Sequence, residues 1–366
     1  MLHNKSFSRF ILLISMAFLL VLMTACGSSG NSSTEGGQTN QGQQSGTGSE
    51  AGGSAAEGEK RVFKIAHTSS ESHVWSKTME KFKEELEARS NGRLSLDIYL
   101  NSVLGNNADM MQQMQAGVLD MAFIPAAELT NRSTTFNAWF MPFLLTDLNH
   151  VYEMSKTEEA QAVLKSLDEN TEGVHPLGYI HVGMRHVLMK DDAIVNPDDF
   201  KNMKIRVSNS PVIVDFWKKM GAEPTSMPLS EVYTAFQTGV VDGIDIDMLA
   251  LTSQKFYEVG KQLTLTNHMT YQGVAYFSKA IWDELPDGDK KLIEEAFAAA
   301  QEFNAQTSVA DEEAYLQQFK AQGGVVNEIA DDTAFRKVTA DFIAQYRSSD
   351  PLIDAFVKKA EELAAQ

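Results

Sequence analysis

Cysteine is nearly absent: Cys26 is the only one in 366 residues, so no intramolecular disulfide can brace the fold and no thiolate cluster can hold a metal. No apolar stretch after Met23 approaches the roughly 20 residues that a membrane-spanning helix needs. Basic residues are in deficit, 31 against 49 acidic ones for a formal charge of −18, which argues against nucleic acid as a partner. The chain has no Gly-x-Ser-x-Gly elbow, no Walker loop and no His-Glu-x-x-His. Its 8 histidines are scattered without a metal-binding spacing, and His181 and His186 fall on opposite faces of one expected strand. Neither catalysis, nor a cofactor, nor a resident metal is expected.

What is present begins with an export signal. Lys5 and Arg9 precede an apolar run from Phe10 to Met23, and MTAC follows, the layout of a secretory signal peptide over residues 1–25. Cys26, directly after the small pair Thr24 and Ala25, matches a bacterial lipobox whose thiol is lipidated, with methionine where leucine is more usual. Residues 27–58 contain no aromatic and no basic side chain. That composition cannot bury enough surface to offset its ordering entropy, so residues 26–58 are expected to be a lipid-anchored flexible tether. A Gly/Ser-rich chain of this length spans roughly 30 Å, a reach suited to the outer face of a Gram-positive membrane. Losing Lys5 and Arg9 takes the mature chain to a formal charge of about −20. An anion site on it must therefore be recessed and locally basic.

About 308 residues remain from Glu59, more than a single core usually holds, so two lobes are expected. VFKIAHT, LSLDIYL, MAFIP, HPLGYIHVGMRHVLM, KIRVS, VVDGIDID and TYQGVAYF read as strands alternating with helices such as TMEKFKEELEARSNG, which Gly92 can terminate. This alternation specifies an α/β fold with mainly parallel sheets. One motif occurs twice: Gln-x-Gly-x-x-Asp leads from a helix into a strand at Gly117 and again at Gly239, each glycine placed to end its helix in a left-handed turn. From Asp289 to Gln322 there is no Gly or Pro, and Leu292, Ala296, Ala300 and Phe303 recur at helical spacing. One helix there would be about 45 Å long or more; a pair broken near Ser308 is the alternative.

Arg206 lies inside the apolar strand KIRVS. A guanidinium carries five donors and keeps its charge, so in such a wall it requires an anion, either a protein carboxylate or a ligand.

The ordered run KIRVSNS, MGAEPTSMPLSEVYTAFQTGVVDG and QKFYEVGKQLTLTNHM resembles the solute-binding proteins of tripartite ATP-independent periplasmic (TRAP) transporters, a DctP-like family, and the likeness extends from about Lys64 to the C-terminal helices. The resemblance implies a two-lobed periplasmic-binding-protein-like fold with a hinge and a long helix across both lobes, divided as 59–182 plus 272–311 and 183–271 plus 312–366. It implies an extracytoplasmic receptor that binds a small organic carboxylate (a C4-dicarboxylate, sugar acid or similar), acts as a monomer and delivers its ligand to the small and large integral membrane subunits of a permease. It puts Arg206 at the arginine that forks onto the ligand carboxylate and Arg185 at a second ligand-facing arginine, whose bland alternative is a solvated strand end. Asn209, in the same KIRVSNS run, joins this set. Where family members carry an amide after the third of these strands this chain has Ile246, which removes a donor and an acceptor from the pocket and favours a less hydroxylated or partly apolar acid.

Asp245 and Asp247 flank Ile246 and by alternation face away from it. Asp245 is kept as a candidate contact beside the plainer readings of helix capping or solvent exposure. His67 ends the first strand, and Asn106 and Asn107 open a helix, places that face an interlobe cleft; a histidine in the place of His67 is more often a hydrogen-bonded structural residue than a ligand contact. Trp139, Phe140 and Phe143 are candidates for the pocket roof or for core. Two other readings stay open: a substrate-binding lipoprotein of an ATP-driven importer or of a sensor kinase, and a surface-anchored hydrolase.

Overall fold

The computed structural model describes residues 58–145, 147–329 and 332–365. The signal peptide, Cys26 and nearly all of the tether lie outside them. The first part of the chain runs β1 (Arg61–Ala66), α1 (Val74–Arg89), β2 (Leu94–Tyr99), α2 (Asn107–Gln115), β3 (Met121–Pro125), the short α3 (Ala126–Leu129), α4 (Leu148–Ser155), α5 (Glu158–Asn170) and the sixteen-residue β4 (Val174–Met189). The second part runs β5 (Lys204–Val207), α6 (Pro211–Lys219), β6 (Glu223–Ser226), α7 (Leu229–Thr238), β7 (Gly243–Asp247), α8 (Met248–Ser253), β8 (Gln262–Leu265) and β9 (Thr270–Ser278). It closes with α9 (Lys279–Glu284), α10 (Asp287–Ala321), β10 (Val325–Glu328), α11 (Thr333–Ser349) and α12 (Pro351–Ala364). Each expected strand is present.

The strands follow the order β2-β1-β3-β9-β4-β7-β5-β6, with β8 also on β4 and β10 on β8. The outer pairs, β1 with β2 and β3 and β5 with β6 and β7, are parallel, whereas β4 and β9 run antiparallel to their neighbours. The architecture is therefore α/β with a mixed sheet. Strand β4 links its two halves: Val174–Met184 pair with β9, and from Arg185 the strand pairs with β7 and β8. Its register shifts between His181 and Gly183. There Asn304 of α10 substitutes for a ladder partner, accepting from the His181 N–H at 2.5 Å and donating to the His181 carbonyl at 3.1 Å.

The repeated Gln-x-Gly-x-x-Asp motif has one structural use at both sites. Gly117 and Gly239 take φ of +70° and +78°, where a side chain would be strained. Three residues on, Asp120 accepts from the Lys64 N–H of β1 at 2.9 Å and Asp242 from the Lys204 N–H of β5 at 2.8 Å, each tying a helix-to-strand corner to the adjacent parallel strand. The long helix is continuous: α10 has 35 residues and a length of about 52 Å. Ile293, Ala296, Phe297 and Ala300 pack with Phe63 and Phe82 of β1 and α1, while Phe319 near its far end joins Leu188, Ile244 and Leu263 in a separate apolar cluster.

The C-terminal helices return to an earlier part of the chain. Helix α12 packs on elements of the first half: Phe356 meets Trp139 edge-on with ring centroids 4.6 Å apart, and a His150 ring nitrogen is 3.0 Å from the Ala360 carbonyl oxygen. The apolar face of α12 is buried there.

Candidate functional site

A cavity opens where β3, β5 and β7 end and β4 passes from one half of the sheet to the other. Ends of parallel strands are where α/β sheets present side chains to ligands. Its walls include Trp75, Asn107 and Glu128 on one side, Ser208, Leu229 and Ile246 on the other, and Arg185, Arg206 and Tyr271 between them.

Arg206 is 3% exposed in the middle of an otherwise apolar strand. Its Nε and Nη2 donate to the Met227 carbonyl at 3.2 and 2.8 Å, and among the described residues it makes no ion pair. Burial, with the neighbouring Arg185 charge adding to it, pushes this guanidinium down to about 10. It remains a cation at neutral pH, with a neutral carbonyl as its hydrogen-bond acceptor. Such a group is stabilised by an anion that brings its own oxygens.

Arg185 has a different environment. It is 2% exposed, donates from Nε to Asp245 Oδ1 at 2.6 Å and from Nη1 to Asp247 Oδ2 at 3.2 Å, and lies 4.2 Å over the Tyr271 ring. A further bond joins Nη2 to the Asp245 carbonyl. Burial alone would push the Asp245 carboxyl up, but Arg185 beside it holds the group well below the usual carboxylate range. Asp247 lies on balance above its usual range, since burial outweighs Arg185 there, and its Oδ1 also caps α8 by accepting from Ala250 N–H at 2.7 Å. The charge of Arg185 is thus met within the protein and that of Arg206 is not.

The rest of the lining mixes polar groups, among them Ser69, His73, Asn107, Glu128 and Ser208, with apolar ones such as Val182, Leu229 and Ile246. Glu128 accepts from Asn209 Nδ2 at 3.0 Å, and Asn107 lines the cavity beside it. The Tyr271 hydroxyl is 3.1 Å from Ser208 Oγ. His73 caps α1, its Nδ1 accepting from Trp75 N–H at 3.1 Å, and burial holds it neutral. Trp75 donates from Nε1 to the His181 carbonyl at 3.1 Å and reaches the cavity because Gly273 is opposite: a β-carbon there would meet the Trp75 ring at 2.6 Å.

A family model, bacterial extracellular solute-binding protein family 7 (DctP), matches residues 65–349. The chain belongs to this family. It is 28% identical to the C4-dicarboxylate-binding periplasmic protein DctP of Rhodobacter capsulatus over 85% of this chain and 91% of that one. Among solved structures it resembles a TRAP periplasmic solute-binding protein from Chromohalobacter salexigens with bound D-glucuronate (TM-score 0.77, 26% identity, 82% and 99% covered). In fold it matches the sugar acid binding protein of Advenella mimigardefordensis in complex with galactonate (TM-score 0.80, 24% identity, 83% and 99% covered). These solved relatives are two-lobed, and the family is one of binding proteins rather than enzymes.

Several expectations about individual residues change within this family site. Arg206, Arg185, Ile246 and Asn107 all line the cavity. Arg185 is buried, not a solvated strand end. Asn209 lines an adjoining cavity and reaches the main one through Glu128. Asp245 is not in the lining: it is fully buried behind the wall, holding Arg185 and accepting from Trp217 Nε1 at 2.8 Å, so it is neither a solvent-exposed group nor a contact. His67 is also withdrawn, with Nδ1 accepting from Ser69 N–H at 3.0 Å and Nε2 at 2.8 Å from Ser76 Oγ. Trp139, Phe140 and Phe143 belong to the core cluster, not to a roof. Sequence reasoning missed Glu128, His73, Trp75 and Tyr271. For Glu128 the available signal was its place just after MAFIP, at the C-terminal end of a strand.

Proposed function

We propose that this protein is the extracytoplasmic receptor of a TRAP transporter, binding a small organic carboxylate by a bidentate salt bridge to Arg206 and passing it to the small and large membrane subunits of the permease. The observation that carries this reading is a buried guanidinium in a cavity wall whose hydrogen bonds go to one neutral carbonyl. Arg185, paired with Asp245 and Asp247, adds donors without adding positive charge. The ligands named for relatives, C4-dicarboxylates, glucuronate and galactonate, define the class to test. The two lobes, divided within β4 near residues 182–183 and joined by α10, would close over the ligand and desolvate the Arg206 pair. Cys26 would carry the lipid anchor and residues 27–58 the reach. No catalytic step is assigned.

Thermal-shift titration of the full-length chain in detergent against these acids tests the reading. A ligand at 100 times its Kd stabilises by about 2.7 kcal/mol. Arg206→Ala should abolish the shift, and Arg206→Lys should weaken it strongly, because an ammonium cannot reproduce the planar fork. Unchanged affinity in Arg206→Ala would overturn the assignment.

A further inference from the structure

The end of the cavity built by Glu128 and Asn107 is rich in acceptors and has no use yet. Glu128, on the short α3, lines both the main cavity and the adjoining one. Its carboxyl group, which burial pushes up from the usual range, accepts from the Asn209 amide at 3.0 Å. It lies within electrostatic reach of Arg206 yet forms no ion pair with it among the described residues. Asn107 Oδ1 is buried and has no hydrogen-bond partner among the described residues. Two acceptors therefore face one region, and a buried acceptor without a donor destabilises its site. Val182, Leu229 and Ile246 add apolar surface to the same cavity.

The charges of the lining point the same way. Arg185 already carries two carboxylates, Asp245 and Asp247, and has no surplus positive charge, which leaves Arg206 to receive one carboxylate and Glu128 to repel a second. We infer that Glu128, with Asn107, is the specificity-determining end of the pocket: it takes a hydroxyl or ammonium donor from a monocarboxylate and discriminates against dicarboxylates. This rests on the Arg206 reading above and narrows its ligand class.

A matched series of four-carbon acids isolates the effect. Succinate, 4-hydroxybutyrate and 4-aminobutyrate share one carboxylate and differ only at the far end, and D-glucuronate serves as a larger polyhydroxy monocarboxylate. Calorimetric titration of the full-length chain at pH 7 should place succinate at least about tenfold below the better of the two donor-ended acids, since like charges juxtaposed in a binding site are strongly unfavourable. The better of those two says whether the donor is a hydroxyl or an ammonium. Glu128→Gln should raise succinate affinity and collapse the ratio, and Glu128→Asp, which keeps the charge, should retain a preference for donors; circular dichroism checks that both variants are folded. A wild-type preference for succinate, or a ratio unchanged in Glu128→Gln, would overturn the inference. If none of the four acids binds the wild type, the carboxylate-receptor reading fails and this inference fails with it, whereas binding that depends on Arg206 but ignores Glu128 sinks only the inference.

Discussion

Replacing Asp245 with asparagine keeps the shape of the side chain and removes its charge, and the structure sets the size of the consequence. The carboxylate is 0% exposed and accepts from Arg185 Nε at 2.6 Å and from Trp217 Nε1 at 2.8 Å. An amide has one acceptor oxygen where the carboxylate has two, so one of these buried donors loses its partner, at about 1–3 kcal/mol. The charge effect is larger. Asp247 would be the remaining carboxylate on Arg185, at 3.2 Å and with its other oxygen committed to the cap of α8. Removing one partner of a buried ion pair costs about 3–5 kcal/mol, and because the two effects overlap we expect the total to fall in that range. For a protein of this size that is a fall in Tm on the order of 10 °C. Urea denaturation of the full-length chain at pH 7, followed by tryptophan fluorescence, measures it. A loss below about 1 kcal/mol with an unchanged m-value would refute the argument, because Arg185 would then draw its stability from something other than Asp245.

Two further outcomes follow from buried polar groups. Asn304→Leu removes the acceptor of the His181 N–H and one of the donors to its carbonyl, and a donor to Thr78 Oγ1 at 3.1 Å; it should destabilise by about 1–3 kcal/mol and speed amide exchange at His181, and unchanged exchange there would refute its role at the β4 irregularity. Burial holds His67 and His186 down to about 3 and His181 to about 4, against 6.5 in the unfolded chain. The unfolded chain therefore takes up protons that the folded one excludes, and stability should fall as pH drops from 6.5 towards 4, by up to about 1.4 kcal/mol per pH unit for each histidine. Urea midpoints that stay level from pH 7 to pH 5 would contradict this.

Local pattern was enough for much of the fold. Apolar runs gave the strands, the Gly- and Pro-free stretch gave α10, and Gly117 and Gly239 marked two equivalent corners, because backbone propensity and side-chain period act within a few residues. Arg206 was also legible in the sequence, since a strand of KIRVS type has no room for an unneeded guanidinium. The sequence could not say which arginine finds its counter-ion inside the protein. Arg185 and Asp245 are sixty positions apart and meet because β4 and β7 pair in one register, placing Arg185 opposite Asp247; Arg206, on the next strand, has no such partner. The same holds for Glu128, which becomes a pocket group when α3 sets it beside Asn107 and Asn209, and for α12, whose Phe356 packs on Trp139, more than two hundred positions earlier. Element identity is a local property of the chain, whereas charge compensation and pocket membership depend on contacts between residues distant in sequence, and those exist once strand register and helix packing have been fixed.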